Sequence, residues 1–444
     1  MKQELKTAFR EEMATARGCY EAGKLDQAFH HLERAHIIGQ QSLTRHMISH
    51  WWMFKIGIRK SDLREIFGQT TRMIAVIPGY VFGWVPKGNP GGANVSPIKP
   101  MAIPEDLVPM LADYSVAKDI WKRVFLFIAL LLAAVLGADL LRAIDSRSLE
   151  HARQRQANTK VASFGSTRSL TVTPLVNWHA ASEELKTEPG VSYLIETDTQ
   201  TILFDLGFNQ LEENPSPLES NMDKFGVSLN DIDTIFLSHA HLDHTGGSKW
   251  ADAGTFSLGV QQIDLSDKKI FAPVALSYPG AKVETISTPT ALMTGVASTG
   301  SIARRLFVGP IEEQALVINL EGKGLVVVVG CGHQTVPKLM ERLEKSFDIP
   351  VYAIVGDLHY PVPEGRLNMF GIDIQRRLAS GDGIFNPITK DVVMTEIDAL
   401  EQQLGAIMIG GHDTSDETLE QFAEKFGDRF HKAKVGVPVT LGSQ

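Results

Sequence analysis

The apolar, strand-like run IDTIFLS leads straight into His239-Ala240-His241-Leu242-Asp243-His244-Thr245-Gly246-Gly247. Four side chains able to bind a metal stand within six positions at the end of a strand-like run, so the chain must fold to open a ligand-bearing loop at a sheet edge. Neutral imidazole suits zinc, and a carboxylate beside it suits a second divalent ion, so the loop can seat two ions. The glycines that follow let the backbone come close to those ions. A surface loop that is histidine-rich by chance explains neither the strand before it nor the Gly-Gly after it.

From about residue 165 the texture is one of short β-type runs, SLTVTPLV, VSYLIET and TILFDLG before the loop and ALVINL, GLVVVVG, VYAIVGD and AIMIGG after it. Helical stretches such as VPKLMERLEKSF and TLEQFAEKF separate the later runs, which reads as a layered α/β domain. The pattern HxHxDH resembles the signature of the metallo-β-lactamase superfamily, over roughly residues 165–440. The resemblance implies an αββα sandwich with metals in a cleft at one edge of its two sheets. The segments GLVVVVGCGHQT, VYAIVGDLHYP and IMIGGHDTSDE look most like the branch of the dihydropterin-ribofuranosyl-aminobenzene-phosphate synthase-like hydrolases, where such stretches carry GCSH, GGFH and HCTG.

Carried over position by position, the resemblance gives His239 and His241 to a first metal and Asp243 and His244 to a second. His333 is the expected third histidine of the first metal and His412 the closing histidine of the second, with His359 a direct competitor because it too ends a strand. For the bridging carboxylate of the wider superfamily, Asp357, Cys331 and Asp413 remain open, and Cys331 reads equally as a small buried residue. Asp205, at the end of TILFD, is expected to support the metal loop from behind. His359, Asp357 and Cys331 are open to metal or proton-transfer roles.

The implied chemistry is hydrolysis, because a zinc ion lowers the pKa of its water from 15.7 to about 7. Asp243 is the residue expected to orient that nucleophile and handle its proton. An ester, lactone, amide or phosphoester of a small molecule would fit. One or two divalent ions are expected, zinc first; imidazole also accepts manganese or iron. The superfamily's di-iron oxidoreductases usually carry glutamate where this chain has His241, which favours zinc hydrolysis over redox chemistry. The alternative from another class is a metal-binding sensor or scaffold on the same fold, with the helical part as a partner-binding module. Net charge −9 argues against nucleic acid as a partner.

The chain's 444 residues exceed one ordinary domain. Leu5, Phe9, Met13 and Tyr20, then Leu25, Phe29, Leu32, Ala35 and Ile38 after Gly23, predict a helical hairpin with the rhythm of one tetratricopeptide-type unit. Pro86, Pro90 and GNPGGANVSPIKP end the helices in a linker or an ordered loop. HLERAH, HWWM and GNPGGANVS resemble a small bacterial helical domain, which implies no activity. Glu33 with His36, and His46 with His50, have the spacing by which helices present metal ligands, but only Glu33 is a well-placed carboxylate.

Val124 to Ala138 is an uncharged apolar run preceded by Trp121-Lys122-Arg123 and extended by Leu140 and Leu141, which reads as a membrane span against the alternative of a buried core helix. Lys118, Lys122 and Arg123 on one side and Arg142, Arg147, Arg153 and Arg155 on the other choose no orientation. The N-terminus lacks the apolar stretch of a cleaved signal peptide, and Cys19 and Cys331 are too few for a disulfide framework. The expected organisation is an all-α helical domain over 1–112, a linker with a single transmembrane helix at about 121–141 within 113–160, and the hydrolase domain over 161–444. That organisation predicts a chain in the cytoplasmic membrane, single-pass, or a cytoplasmic one if the helix is core; a protein partner for the helical domain stays open.

Overall fold

The computed structural model describes residues 3–112, 117–155, 159–307 and 309–442; the side chains of Lys118, Lys122, Arg123 and Arg155, used in the charge count, lie outside the described residues. The chain divides into two compact units, Met1–Gly137 and Ala138–Gln444.

In the first unit the 3.6-residue rhythm builds four helices, Gln3–Glu21, Leu25–Gly39, Leu43–Lys60 and Leu63–Phe82. Leu5, Phe9, Met13 and Ala16 form one stripe that buries against Ala28, Leu32, Ala35 and Ile38 of the second helix. Tyr20, Leu25 and Phe29 pack at the edge of that core. Asp62 caps the fourth helix by accepting the Glu65 N–H at 3.1 Å, and Gly83 ends it in the left-handed conformation. The proline- and glycine-rich stretch after it is an ordered loop in which Asn89, Gly91 and Gly92 are buried.

Ala117–Arg155 is one helix of 39 residues. Its stretch from Val124 is long and apolar enough to cross a membrane, and Phe125, Leu126, Leu130 and Leu136 are exposed. After Ala138 the same helix carries charges that pair within the second unit: Arg142 with Asp139, Glu150 with Lys338 at 3.1 Å and Arg153 with Glu341 at 2.8 Å.

The second unit is an αββα sandwich, and strand periodicity sorts its layers. One seven-stranded sheet runs, edge to edge, Val439–Thr440, Leu170–Val176, Ser192–Thr197, Thr201–Phe204, Thr234–Phe236, Lys269–Ala272, Val283–Thr285. The other runs Phe430–Lys432, Ala406–Ile409, Val351–Gly356, Gly324–Val329, Leu316–Leu320, Val296–Ser298, Thr290–Met293. Val326 and Val328 point between the sheets, with Ile195, Phe204 and Phe236 from the facing sheet. Leu325, Val327 and Val329 point the other way, onto Leu339 and Leu343 of helix Val336–Ser346 and Ile397 and Leu400 of helix Lys390–Gln403. The GLVVVV strand is therefore buried on both faces, which is why it reads as a continuous apolar run. Burying each such valine stabilises by about 1.5–3 kcal/mol. Leu218 and Met222 of helix Pro217–Lys224 cover the outer face of the first sheet.

Both sheets contain parallel strands side by side: Thr201–Phe204, Thr234–Phe236 and Lys269–Ala272 in one, Gly324–Val329, Val351–Gly356 and Ala406–Ile409 in the other. Parallel strands end at the same sheet edge, so loops far apart in sequence are brought together there.

Candidate metal centre

Every histidine candidate follows one of these parallel strands. His239, His241 and His244 lie beyond Thr234–Phe236, His333 beyond Gly324–Val329, His359 beyond Val351–Gly356 and His412 beyond Ala406–Ile409. The rings of His239, His241 and His333 form a triangle, with centroids 4.7, 5.2 and 5.0 Å apart. Beside it, Asp243, His244, Cys331 and His412 bring one ligand atom each within 4.8 Å of one another. His412 Nε2 lies 3.1 Å from Asp243 Oδ2, and His244 Nε2 lies 2.9 Å from Cys331 Sγ. Cys331 also falls in a group with His239 and His333, so its sulfur stands between the two clusters.

His359 is turned elsewhere. Its ring is 4.6 Å from that of His333, and its Nδ1–H donates to Asp413 Oδ2 at 3.0 Å. Asp357 faces the scaffold: one oxygen accepts from Asn177 Nδ2 and the Tyr193 hydroxyl, the other from the His412 N–H at 3.1 Å. Asp413 also accepts from Gln375 Nε2. Of the three residues left open for the bridge, Asp357 is turned away, Cys331 stands between the clusters, and Asp413 lies beside it with Oδ2 3.7 Å from His412 Nε2.

Asp205 organises the loop from behind. Its carboxylate is fully buried and accepts from the Ser238 N–H at 2.7 Å, the Ser238 hydroxyl at 2.6 Å and His244 Nδ1 at 2.6 Å. The Ser238 hydroxyl has one proton and gives it to Asp205, so Ser238 Oγ accepts from His239 Nδ1, 2.9 Å away. In the neutral form both His239 and His244 thereby carry their proton on Nδ1 and turn Nε2 toward the cluster.

These donors fit a divalent ion. His239 Nε2 and His333 Nδ1 are buried without a hydrogen-bond partner, which costs free energy unless another group takes the lone pair. Burial holds His239 and His333 well below the ordinary imidazole range, so they are neutral, as a metal requires. Around His412 the balance reverses: burial would lower it, but Asp413, Asp243 and Asp357 push it up to about 10. Against burial, His412 in turn holds the Asp243 carboxyl below its usual range. The second cluster thus gathers carboxylates that favour positive charge, which a bound cation would supply.

The glycines after the loop do not face the ligands. An added Cβ at Gly246, whose φ is +84°, would lie 1.9 Å from the Ser257 carbonyl oxygen. Gly246 is there so that two backbone segments can touch beneath the loop.

The sequence reading missed Glu313, which is fully buried and accepts three backbone N–H groups, those of Cys331, Gly332 and His333, at 3.0, 2.9 and 2.7 Å. Burial pushes its carboxyl up to about 7, against the pull of those N–H groups. Nothing in IEEQALVINL distinguishes it from its neighbour Glu312, because its role depends on a loop twenty residues away. Glu313→Ala strands three buried donors and is expected to cost on the order of 3–5 kcal/mol. Glu313→Gln, which keeps an acceptor, is expected to lose less. Urea unfolding of the two variants checks this, and an unchanged midpoint in the alanine variant would refute it.

Beside His359 opens a cavity of about 280 Å³ lined in part by Arg304, Lys338, Tyr360, Asp382 and Glu396. Arg304 is anchored there, donating to the His333 and Gly381 carbonyls.

A family model described as the metallo-beta-lactamase superfamily matches residues 185–412, and one described as a protein of unknown function, DUF3703, matches residues 3–111. The 7,8-dihydropterin-6-methyl-4-(beta-D-ribofuranosyl)-aminobenzene-5'-phosphate synthase of Methanocaldococcus jannaschii is 23% identical over 295 residues, 56% of this chain and 88% of that one. Among solved structures, Tm1679, a metal-dependent hydrolase of the beta-lactamase superfamily, aligns with a TM-score of 0.44 at 16% identity, covering 62% of this chain and all of its own. The metallo-beta-lactamase fold protein YhfI from Bacillus subtilis aligns with a TM-score of 0.39 at 14% identity over the same share of this chain.

Proposed function

The chain belongs to the metallo-β-lactamase superfamily, and from that premise we propose that its second unit is a zinc-dependent hydrolase of a small-molecule ester, lactone, amide or phosphoester. His239, His241 and His333 would hold one ion, and Asp243, His244 and His412 the other, with Cys331 between them. The observation that carries this reading is the convergence of buried imidazole nitrogens that have no protein partner, next to a cluster of carboxylates. A divalent ion bound there supplies Lewis acidity and brings the pKa of water toward neutrality.

The chain's own residues do the rest. Asp205 and Ser238 keep the loop imidazoles in one tautomer. Asp243, partly open to the cleft, orients the attacking water and takes its proton on a carboxylate oxygen. From that oxygen Asp243 passes the proton on to the leaving group, while His359, whose Nδ1–H is held by Asp413, presents a buried Nε2 without a hydrogen-bond partner that can accept a hydrogen bond from the substrate. The cavity beside it, lined by both basic and acidic side chains, receives the substrate.

This reading keeps the three-part organisation, a helical module, an apolar helix anchoring the chain in the cytoplasmic membrane, and the hydrolase. The test is turnover of ester, lactone and phosphodiester substrates by the full chain, before and after a chelator and after added Zn²⁺. Turnover that stops with the chelator and returns with zinc is expected. Full turnover in the chelator would overturn the proposal.

A further inference from the structure

The first unit contains a second convergence of imidazoles. His36 lies on helix Leu25–Gly39, and His46 and His50 lie one turn apart on helix Leu43–Lys60. All three are buried, at 2%, 6% and 2% exposure. His36 Nε2 is 3.2 Å from His50 Nε2, which is 3.1 Å from His46 Nε2. The three rings sit with centroids 4.5, 4.6 and 4.8 Å apart.

Proton accounting shows why such a cluster needs a cation. His36 Nδ1 lies 2.9 Å from the Asn89 carbonyl, which only accepts, so the proton is on Nδ1 and Nε2 is bare. Gln69 gives its amide protons to Glu65 Oε1 and the Gly91 carbonyl, so its oxygen faces His50 Nδ1 at 2.6 Å. His50 Nε2 is therefore bare as well. Two lone pairs thus face each other at 3.2 Å with no proton between them. His46 can supply one proton to that centre at most, and its Nδ1 is buried without a hydrogen-bond partner.

The loop that the sequence marks as GNPGGANVS is what positions these rings. Asn89 and Gly91 offer the carbonyls that set the tautomers. Gly91 has φ +88°, and an added Cβ there would come within 2.7 Å of the His36 ring, so only glycine lets the loop close over the cluster. Glu65 stands behind Gln69 and His50, an outer carboxylate of the kind that raises ligand basicity, and opposes the charge of nearby Arg72, which donates to the Gly92 and Val95 carbonyls. Glu33, the carboxylate that the helical spacing singled out, is not in the cluster; it faces His30 at 3.9 Å. One side of the trio opens to a cavity of about 170 Å³ lined by apolar residues including Trp84, Val85 and Ile98.

We propose that His36, His46 and His50 bind one divalent transition-metal ion of the zinc class through their Nε2 atoms, with a fourth coordination position open to the cavity. Three neutral imidazoles select such an ion over magnesium or calcium, and three protein ligands with an open position are the arrangement of a reactive rather than a purely structural zinc site. This site is separate from the hydrolase reading and does not rest on it.

The test uses the full chain carrying His241→Ala and Asp243→Ala, stripped with a chelator, loaded with Co²⁺ and desalted. It is expected to keep about one Co²⁺ at the trio, with visible ligand-field absorption of a nitrogen-rich, low-coordinate site. Adding His46→Ala, whose ring has no hydrogen bond outside the trio, is expected to remove that equivalent while the far-ultraviolet circular dichroism is kept. The loss is counted against the parent, so Co²⁺ retained elsewhere in the chain does not blur it. A parent that binds no Co²⁺ would overturn the proposal without any change in the first unit. So would a His46→Ala, His50→Ala variant that binds as much Co²⁺ as the parent.

Discussion

Replacing His241 and Asp243 together by alanine is expected to lower turnover by about 10³-fold or more. One residue is removed from each cluster, so neither ion keeps its full set of protein ligands. These two are the right pair because both are only partly buried, in contrast to His239 and His244, which are fully enclosed. Their loss should spare the core, and circular dichroism and the unfolding midpoint should stay close to those of the parent. Metal content and turnover measured on the same sample separate this from a folding defect. Full metal content with full turnover in the double variant would remove the loop from the chemistry.

Asp205→Ala is expected to act through two routes. Three donors, the Ser238 N–H, the Ser238 hydroxyl and His244 Nδ1, lose one acceptor in a site with no solvent to replace it. Breaking a buried, hydrogen-bonded pair of this kind costs about 3–5 kcal/mol. His244 and, through Ser238, His239 also lose the partner that fixes their tautomers, which is expected to weaken metal binding by about 10–100-fold. Competition with a chromophoric chelator reads the affinity, and urea unfolding of the metal-free protein reads the stability. Asp205→Asn retains an acceptor for the Ser238 N–H and should fall between the two. An alanine variant with the parent's metal affinity would show that Asp205 serves only the fold.

Much of this architecture is visible in the chain itself, and particular residues show where visibility ends. The stripe Leu5, Phe9, Met13 and the alternation of VSYLIET declare their elements because helix and strand periods are local properties. His239 to His244 declare a site because their spacing is local too. His412 and His359 were indistinguishable because both follow a parallel strand, and the difference is made by the backbone at one residue. His359 adopts a left-handed conformation, φ +52°, at the loop where its ring lies against His333 and Asp413, while His412 faces Asp243. Glu313 was invisible for a similar reason: a carboxylate that gathers three N–H groups from another segment has no local signature. The trio in the first unit lay between these extremes. His46 and His50 were evident from their helical spacing, but His36 joins them only through the packing of its helix against theirs, with the glycine loop lying against its ring.

The buried thiol of Cys331, lodged at the seam of two nitrogen- and oxygen-rich pockets, gives the hydrolase unit a chemical vulnerability. Sulfur prefers soft, thiophilic cations, so cadmium or mercury would compete for this seam far better than for an all-histidine centre. Poisoning by trace heavy metals, relieved by small-molecule thiols and absent in Cys331→Ser, is the signature such a sulfur leaves.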